Sequence, residues 1–205
     1  MKHPIESSSH SLKVELVNNT TVTRLCRKLA HKIQDSGFKP DIIICIARGG
    51  YIPARLICDY LDIYNLASIR IKHYIGSDKS EVARLIDPLS INIQGMKVLL
   101  VDDINDTGDT LQVALDYLAS FNSIEIKVAV LHHKVISTLV PDYVAQKIIH
   151  WRWITYPWAI TEDVLGFDKK IQPQPSTIEQ AIERTAQDYG IKVSKQVMQD
   201  VFRLL

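Results

Sequence analysis

The segment from Lys97 to Leu118 constrains this chain more than any other. Val98-Leu99-Leu100-Val101 is a continuous apolar run that ends in an acidic tip, Asp102-Asp103. Ile104-Asn105-Asp106-Thr107-Gly108-Asp109-Thr110-Leu111 follows, and Gln112 to Leu118 then carries apolar residues at helical spacing. The order is strand, acidic tip, Thr/Gly turn, helix. A turn of this kind aims backbone N–H groups and hydroxyls at one point, at the positive end of a helix, which suits a phosphate monoester. Paired carboxylates at the strand tip suit sugar hydroxyls or a hydrated Mg²⁺ ion. Asp/Gly/Thr clusters are also ordinary turns. This one sits at the end of a strand, where open α/β sheets bind ligands.

The rest of the chain repeats the alternation. Thr20 to Ser36 places Val22, Leu25, Cys26, Leu29 and Ile33 on one helical face, with Asn19 or Thr20 to cap it and Gly37 to end it. Asp41 to Ala47 is β-branched and apolar on both faces, as central parallel strands are. Arg48-Gly49-Gly50 makes a turn into a helix with Pro53 in its first turn. Strands are expected at Ser68–Tyr74 and Ile126–Leu131, and 75–88 reads as a long mobile excursion. Alternation of this kind predicts an α/β fold with a parallel central sheet flanked by helices. We expect a main domain over residues 1–160, with a hood segment near 141–160, and a linker and C-terminal helical extension over 161–205. In the extension, Gln172-Pro173-Gln174-Pro175 reads as linker, before helices at Thr177–Tyr189 and Ser194–Leu204 separated by Gly190. The first residues, to His10, are polar and are expected to be mobile.

Composition narrows the function classes. With 205 residues and a net charge of +1, the chain gives no support for nucleic-acid or acidic-surface binding. Cys26, Cys45 and Cys58 lie in apolar segments without a Cys-x-x-Cys pair, and read as reduced core residues. Neither a signal-like apolar start nor a run of membrane-spanning length is present, so a cytoplasmic protein without a membrane partner is expected.

The acidic tip and its turn resemble the phosphoribosyl-pyrophosphate (PRPP) signature of the type I phosphoribosyltransferases. That resemblance implies that Asp102 and Asp103 face the ribose hydroxyls and Mg²⁺, and that Asp106, Thr107, Gly108, Asp109 and Thr110 wrap the 5′-phosphate. The spacing Asp102-Asp103-x-x-Asp106 also matches the metal cluster of all-helical prenyl-diphosphate enzymes, but the preceding strand and the Thr-Gly turn argue against a helix there.

Further features are similar to the purine members of that family. The Arg48-Gly49-Gly50 turn would grip pyrophosphate through Arg48 and Gly49, with a non-proline cis peptide at Ala47–Arg48. Lys134, past the apolar strand, would donate to a purine O6; an ammonium is donor-only and so favours a keto oxygen over an amino group. Trp151-Arg152-Trp153-Ile154-Thr155-Tyr156-Pro157-Trp158 resembles the Trp-Ile strand end of bacterial xanthine–guanine phosphoribosyltransferases, so Trp153 would stack on the base and the backbone around Ile154 would accept near the purine C2. The excursion at 75–88 would close over PRPP, with Lys72 a candidate pyrophosphate contact. His73-Tyr74 stands where the better-known members carry Ser-Tyr. The resemblance implies a Mg²⁺-dependent purine phosphoribosyltransferase acting on PRPP and a 6-oxopurine, as a homodimer or homotetramer, with Asp106 relaying the N7 proton beside Asp102 and Asp103. A PRPP- or nucleotide-sensing regulator on the same fold is the alternative.

Overall fold

In a computed structural model, residues 12–75 and 81–205 are described; the polar start and the tip of the expected excursion lie outside them. In chain order the elements are β1 (Val14–Leu16), α1 (Asn19–Asp35), β2 (Ile42–Ala47), α2 (Tyr51–Leu61), β3 (Leu66–Ile75), β4 (Glu81–Asp87) and β5 (Lys97–Asn105). Then come α3 (Asp109–Ala119), β6 (Glu125–Lys134), β7 (Tyr143–Ile148), β8 (Trp153–Thr155), α4 (Ile160–Asp168), α5 (Ile178–Tyr189) and α6 (Lys195–Phe202).

The chain divides into two compact units, one from Asn19 to His150 and one combining the chain up to Asn18 with Trp151–Leu205. The division therefore falls ten residues before the expected boundary at 160. Pairing explains it: β1 joins β8 in parallel, Val14 opposite Trp153 and Leu16 opposite Thr155, which ties the N-terminal strand to the C-terminal helices.

The first unit holds a six-stranded sheet in the order β4-β3-β2-β5-β6-β7. All its pairings are parallel except β3 with β4. Ile42 to Ile46 and Val98 to Val101 are buried because β2 and β5 lie at the centre of the sheet with both faces covered. One core cluster packs Ile44, Ile46, Ile69, Leu100 and Val130 against Leu111, Ala114 and Leu118 of α3. Cys26, Cys45 and Cys58 are buried free thiols, as expected of core residues. Burial pushes the Cys26 and Cys45 thiols up to about 12.

Two parts of this sheet differ from the sequence expectation. Residues on either side of the 76–80 tip are the arms of an antiparallel hairpin, His73 opposite Ala83 and Tyr74 opposite Val82, so most of the expected excursion is strand. Tyr143–Ile148, expected in a hood, is the edge strand, with Ala129 opposite Tyr143 and Lys134 opposite Ile148. Tyr143 and Ala145 are buried in alternation with Val144 and Gln146, Ile148 is buried out of phase, and polar Gln146 and Lys147 hide the strand in the residue pattern.

In the second unit, Val164, Phe167, Ala181, Ile191, Val193, Met198 and Val201 form a core. Helices α5 and α6 arise where expected, with the Thr177 and Ser194 side chains accepting from the Gln180 and Val197 amides. Helix α4 opens the segment expected as linker and extension, ahead of Gln172–Pro175, and its Val164 and Phe167 are buried. Among the described residues no helix is long and apolar enough to cross a membrane.

Candidate active site

Central strands β2 and β5 run side by side, Cys45 opposite Val101, and each opens at its C-terminal end into a turn that starts a helix. After β2 the Ala47–Arg48 peptide is cis, as the resemblance implied. Gly49 then approaches Asp103 so closely that a Cβ there would lie 2.5–2.6 Å from the Asp103 carboxyl atoms. Only a glycine lets the two turns meet in this way. Arg48 is exposed on the same turn.

At the tip of β5, Asp102 and Asp103 are 7% and 9% exposed. Neighbouring strand residues point to opposite faces, so the two carboxyls do not share one surface. The Asp103 amide donates to Asp102 Oδ1 at 2.9 Å. Burial, and then the charge of Asp103, holds the Asp102 carboxyl well above the ordinary carboxylate range. Among the described residues no three His, Cys, Asp or Glu side chains converge on one point. A carboxylate at this tip would suit a divalent ion such as Mg²⁺ that takes the rest of its oxygens from water or a ligand.

Beyond Asp106 the chain turns through Gly108, whose φ of 104° is costly for any other residue, and α3 begins at Asp109. Gly108 caps α3 without a side chain, and the Asp109 amide donates to Thr107 Oγ1 at 3.4 Å. Thr107 Oγ1 donates to Asp109 Oδ2 at 2.9 Å and tightens the turn. Thr138 supports it from behind: its amide and its hydroxyl each donate to the Thr107 carbonyl at 3.1 Å. A Cβ on Gly108 would meet Leu139 and Ser137 at 3.0–3.1 Å. The segment 137–139 thus forms a wall behind the turn, which nothing in its own residue pattern signals.

Lys134 is the last residue of β6 and is 2% exposed, a rare state for an unpaired lysine. Its Nζ lies 2.5 Å from Asp106 Oδ2. One carboxylate thus joins the expected base contact to the expected phosphate turn. On β3, His73 Nε2 meets Thr110 Oγ1 at 2.9 Å and connects the hairpin to the first turn of α3. Lys72 instead lays its ammonium 5.5 Å from the Tyr74 ring centroid.

Trp153 and Ile154 belong to the second unit. Ile154 is buried opposite Glu15, while Trp153 is 40% exposed with its indole N–H donating to Asp163 Oδ2 at 2.9 Å. Burial raises the Asp163 pKa, and the bonds from Trp153 and Thr155 partly oppose that. Sequence reasoning missed Asp163 because its partner lies ten residues away on another element.

Comparisons with known proteins bear on the family and the fold. The phosphoribosyl transferase domain matches residues 14–163. Hypoxanthine-guanine phosphoribosyltransferase of Saccharomyces cerevisiae is 28% identical over 195 residues, covering 73% of this chain and 87% of the yeast protein. A crystal structure of purine phosphoribosyltransferase from Pyrococcus horikoshii has a TM-score of 0.64 and 36% identity, covering 71% of this chain and 93% of that one. A hypothetical protein from Neisseria gonorrhoeae, crystallised with bound ppGpp, has a TM-score of 0.66 and 27% identity, covering 73% of this chain and 90% of that one.

Proposed function

Because the chain belongs to the phosphoribosyltransferase family, we propose that it transfers the 5-phosphoribosyl group of PRPP to a 6-oxopurine (hypoxanthine, guanine or xanthine) with release of pyrophosphate. The observation that carries the choice of base is the 2.5 Å contact between the buried Lys134 ammonium and Asp106. The edge of a 6-oxopurine presents O6 beside N7, so it calls for a donor and a proton-accepting group side by side. An adenine amino group would meet the ammonium donor to donor.

In this reading the amides and hydroxyls of Thr107, Gly108, Asp109 and Thr110 bind the 5′-phosphate, with the N-terminus of α3 supplying favourable potential. Of Asp102 and Asp103, adjacent on β5, one faces the ribose directly and the other acts through water or the metal. Arg48 and the Gly49 backbone hold the pyrophosphate, with Lys72 a further contact, and Trp153 and Ile154 keep the base contacts that the resemblance gives them. The bond from N9 of the base to the anomeric carbon forms as the bond to the pyrophosphate oxygen breaks. Positive charge develops on the sugar, where a carboxylate at the β5 tip stabilises it. The N7 proton passes to the Asp106 carboxylate, and Lys134 holds O6 while it moves. Mg²⁺, held by Asp102 or Asp103 with substrate oxygens, would neutralise charge on the leaving pyrophosphate. A homodimer or homotetramer in purine salvage in the cytoplasm completes the proposal.

A second reading, a sensor of PRPP or nucleotides on the same fold, is supported by the ppGpp in the Neisseria gonorrhoeae crystal. Pyrophosphate release separates the two. With PRPP, Mg²⁺ and a panel of hypoxanthine, guanine, xanthine and adenine, nucleotide should form with at least one oxopurine and not with adenine. Silence with every oxopurine sinks the transferase reading.

A further inference from the structure

The proposed chemistry uses Asp106, Lys134 and the turn between β5 and α3, but it leaves aside a buried polar cluster behind them. Asn105 ends β5, directly before Asp106, and is 2% exposed. Its amide is engaged on both sides. Nδ2 donates to the Leu139 carbonyl at 2.7 Å and lies 3.1 Å from His133 Nδ1, while Oδ1 accepts from the Ser137 hydroxyl at 3.1 Å. A carbonyl can only accept, so the Leu139 contact identifies the amide nitrogen. The second hydrogen of that nitrogen makes His133 Nδ1 an acceptor, which leaves the ring proton on Nε2. His133 is 4% exposed; burial first and Lys147 second, opposite it on β7, hold its pKa below the ordinary value. The neutral ring is the form this bond needs.

The chain connectivity gives the cluster its consequence. Asn105 is bonded to Asp106 of the phosphate turn, and His133 to Lys134 of the base side. Ser137 and Leu139 bound the wall against which Gly108 packs. We propose that Asn105 is a positioning residue: with His133 as acceptor, it holds the phosphate turn, its supporting wall and the Lys134 strand end in one register. The role rests on the reading of that turn as the 5′-phosphate cup and of Lys134 as the base contact. No ligand contact by Asn105 or His133 is needed. A supporting group of this kind acts by removing slack from the groups that do touch ligand.

Two measurements test it. In histidine-selective ¹⁵N spectra of the unaltered protein, His133 should carry its proton on Nε2 and keep Nδ1 bare at about pH 7 and above. A proton on Nδ1, or an imidazolium at neutral pH, overturns the assignment without any variant. In calorimetric titrations with ribose 5-phosphate, Asn105→Leu and His133→Leu should each bind on the order of tenfold more weakly. His133→Gln, whose amide oxygen can accept the same bond, should stay within about threefold of the unaltered protein. Unchanged affinity in Asn105→Leu, or equal loss in His133→Gln and His133→Leu, refutes the role. If ribose 5-phosphate fails to bind the unaltered protein, the phosphate cup and this role fall together. Normal binding and variant losses without activity on any base would sink the transferase reading and leave the positioning role standing.

Discussion

Replacing Gly49 by alanine probes the junction of the two turns directly. The added Cβ would sit 2.5–2.6 Å from the carboxyl group of Asp103, with Oδ2 the nearest atom. Ordinary contact starts about 1 Å further out, so the Asp103 side chain or the Arg48–Gly49 turn must yield by about that distance. Asp103 is 9% exposed and has little room to retreat. Overpacking of this kind costs about 1–3 kcal/mol, and each kcal/mol lowers the melting temperature by roughly 2–4 °C in a chain of this size. The same displacement moves a ribose-facing carboxylate, for which a loss of about 10² in kcat/KM is expected. The assay is a double-mutant cycle in denaturant. Asp103→Ala removes the obstructing carboxyl, so Gly49→Ala should cost far less in that background, with a coupling of about 1–3 kcal/mol. A coupling below about 0.5 kcal/mol would refute the reasoning, since independent sites add to within that margin.

Other consequences follow from single groups. Lys134→Met keeps an apolar stem in a buried place, so the KM for a 6-oxopurine should rise ten- to a hundredfold (about 1–3 kcal/mol for a lost recognition pair) while the KM for PRPP barely moves; equal rises in both would contradict the assignment. Asp106→Asn should lower turnover by about 10²–10⁴ and change PRPP affinity much less, which single-turnover kinetics would resolve. Burial and the charge of Asp103 raise the Asp102 pKa, so the folded state holds this proton more tightly than the unfolded chain does. The stability it contributes is present below about pH 4 and lost as pH rises through the raised value. Asp102→Asn keeps the acceptor for the Asp103 amide, and in denaturant unfolding it should gain on the unaltered protein between about pH 4 and pH 7. A constant difference over that range would tell against the sign worked out here.

The parts of the fold that were legible from the chain are those whose signal is local. Val98–Val101 and Ile42–Ile46 are apolar on both faces and emerge as buried central strands. Thr177 and Ser194 announce helix starts by their side-chain oxygens, and both cap as expected. What the residue pattern concealed depends on a distant partner. Val14–Leu16 is a strand because β8 pairs with it, and Tyr143–Ile148 because β6 does. Helix α4 hid behind Glu162, Asp163 and Gly166, because only Val164 and Phe167 of its residues reach the core cluster fully buried. The site divides in the same way. Asp102, Asp103 and the turn after Asp106 are contiguous and readable, and Lys134 could be singled out at the end of an apolar run. The closeness of Gly49 to Asp103, the Asn105–His133 bond and the wall at 137–139 are products of strand order and register, which no single segment carries.

A crystal structure with ribose 5-phosphate bound tests the central claim most directly. The phosphoryl oxygens should accept hydrogen bonds from the backbone amides and hydroxyls of Thr107 to Thr110, with the ribose hydroxyls turned to the Asp102–Asp103 tip. A phosphate bound elsewhere, with that turn empty, would contradict the account.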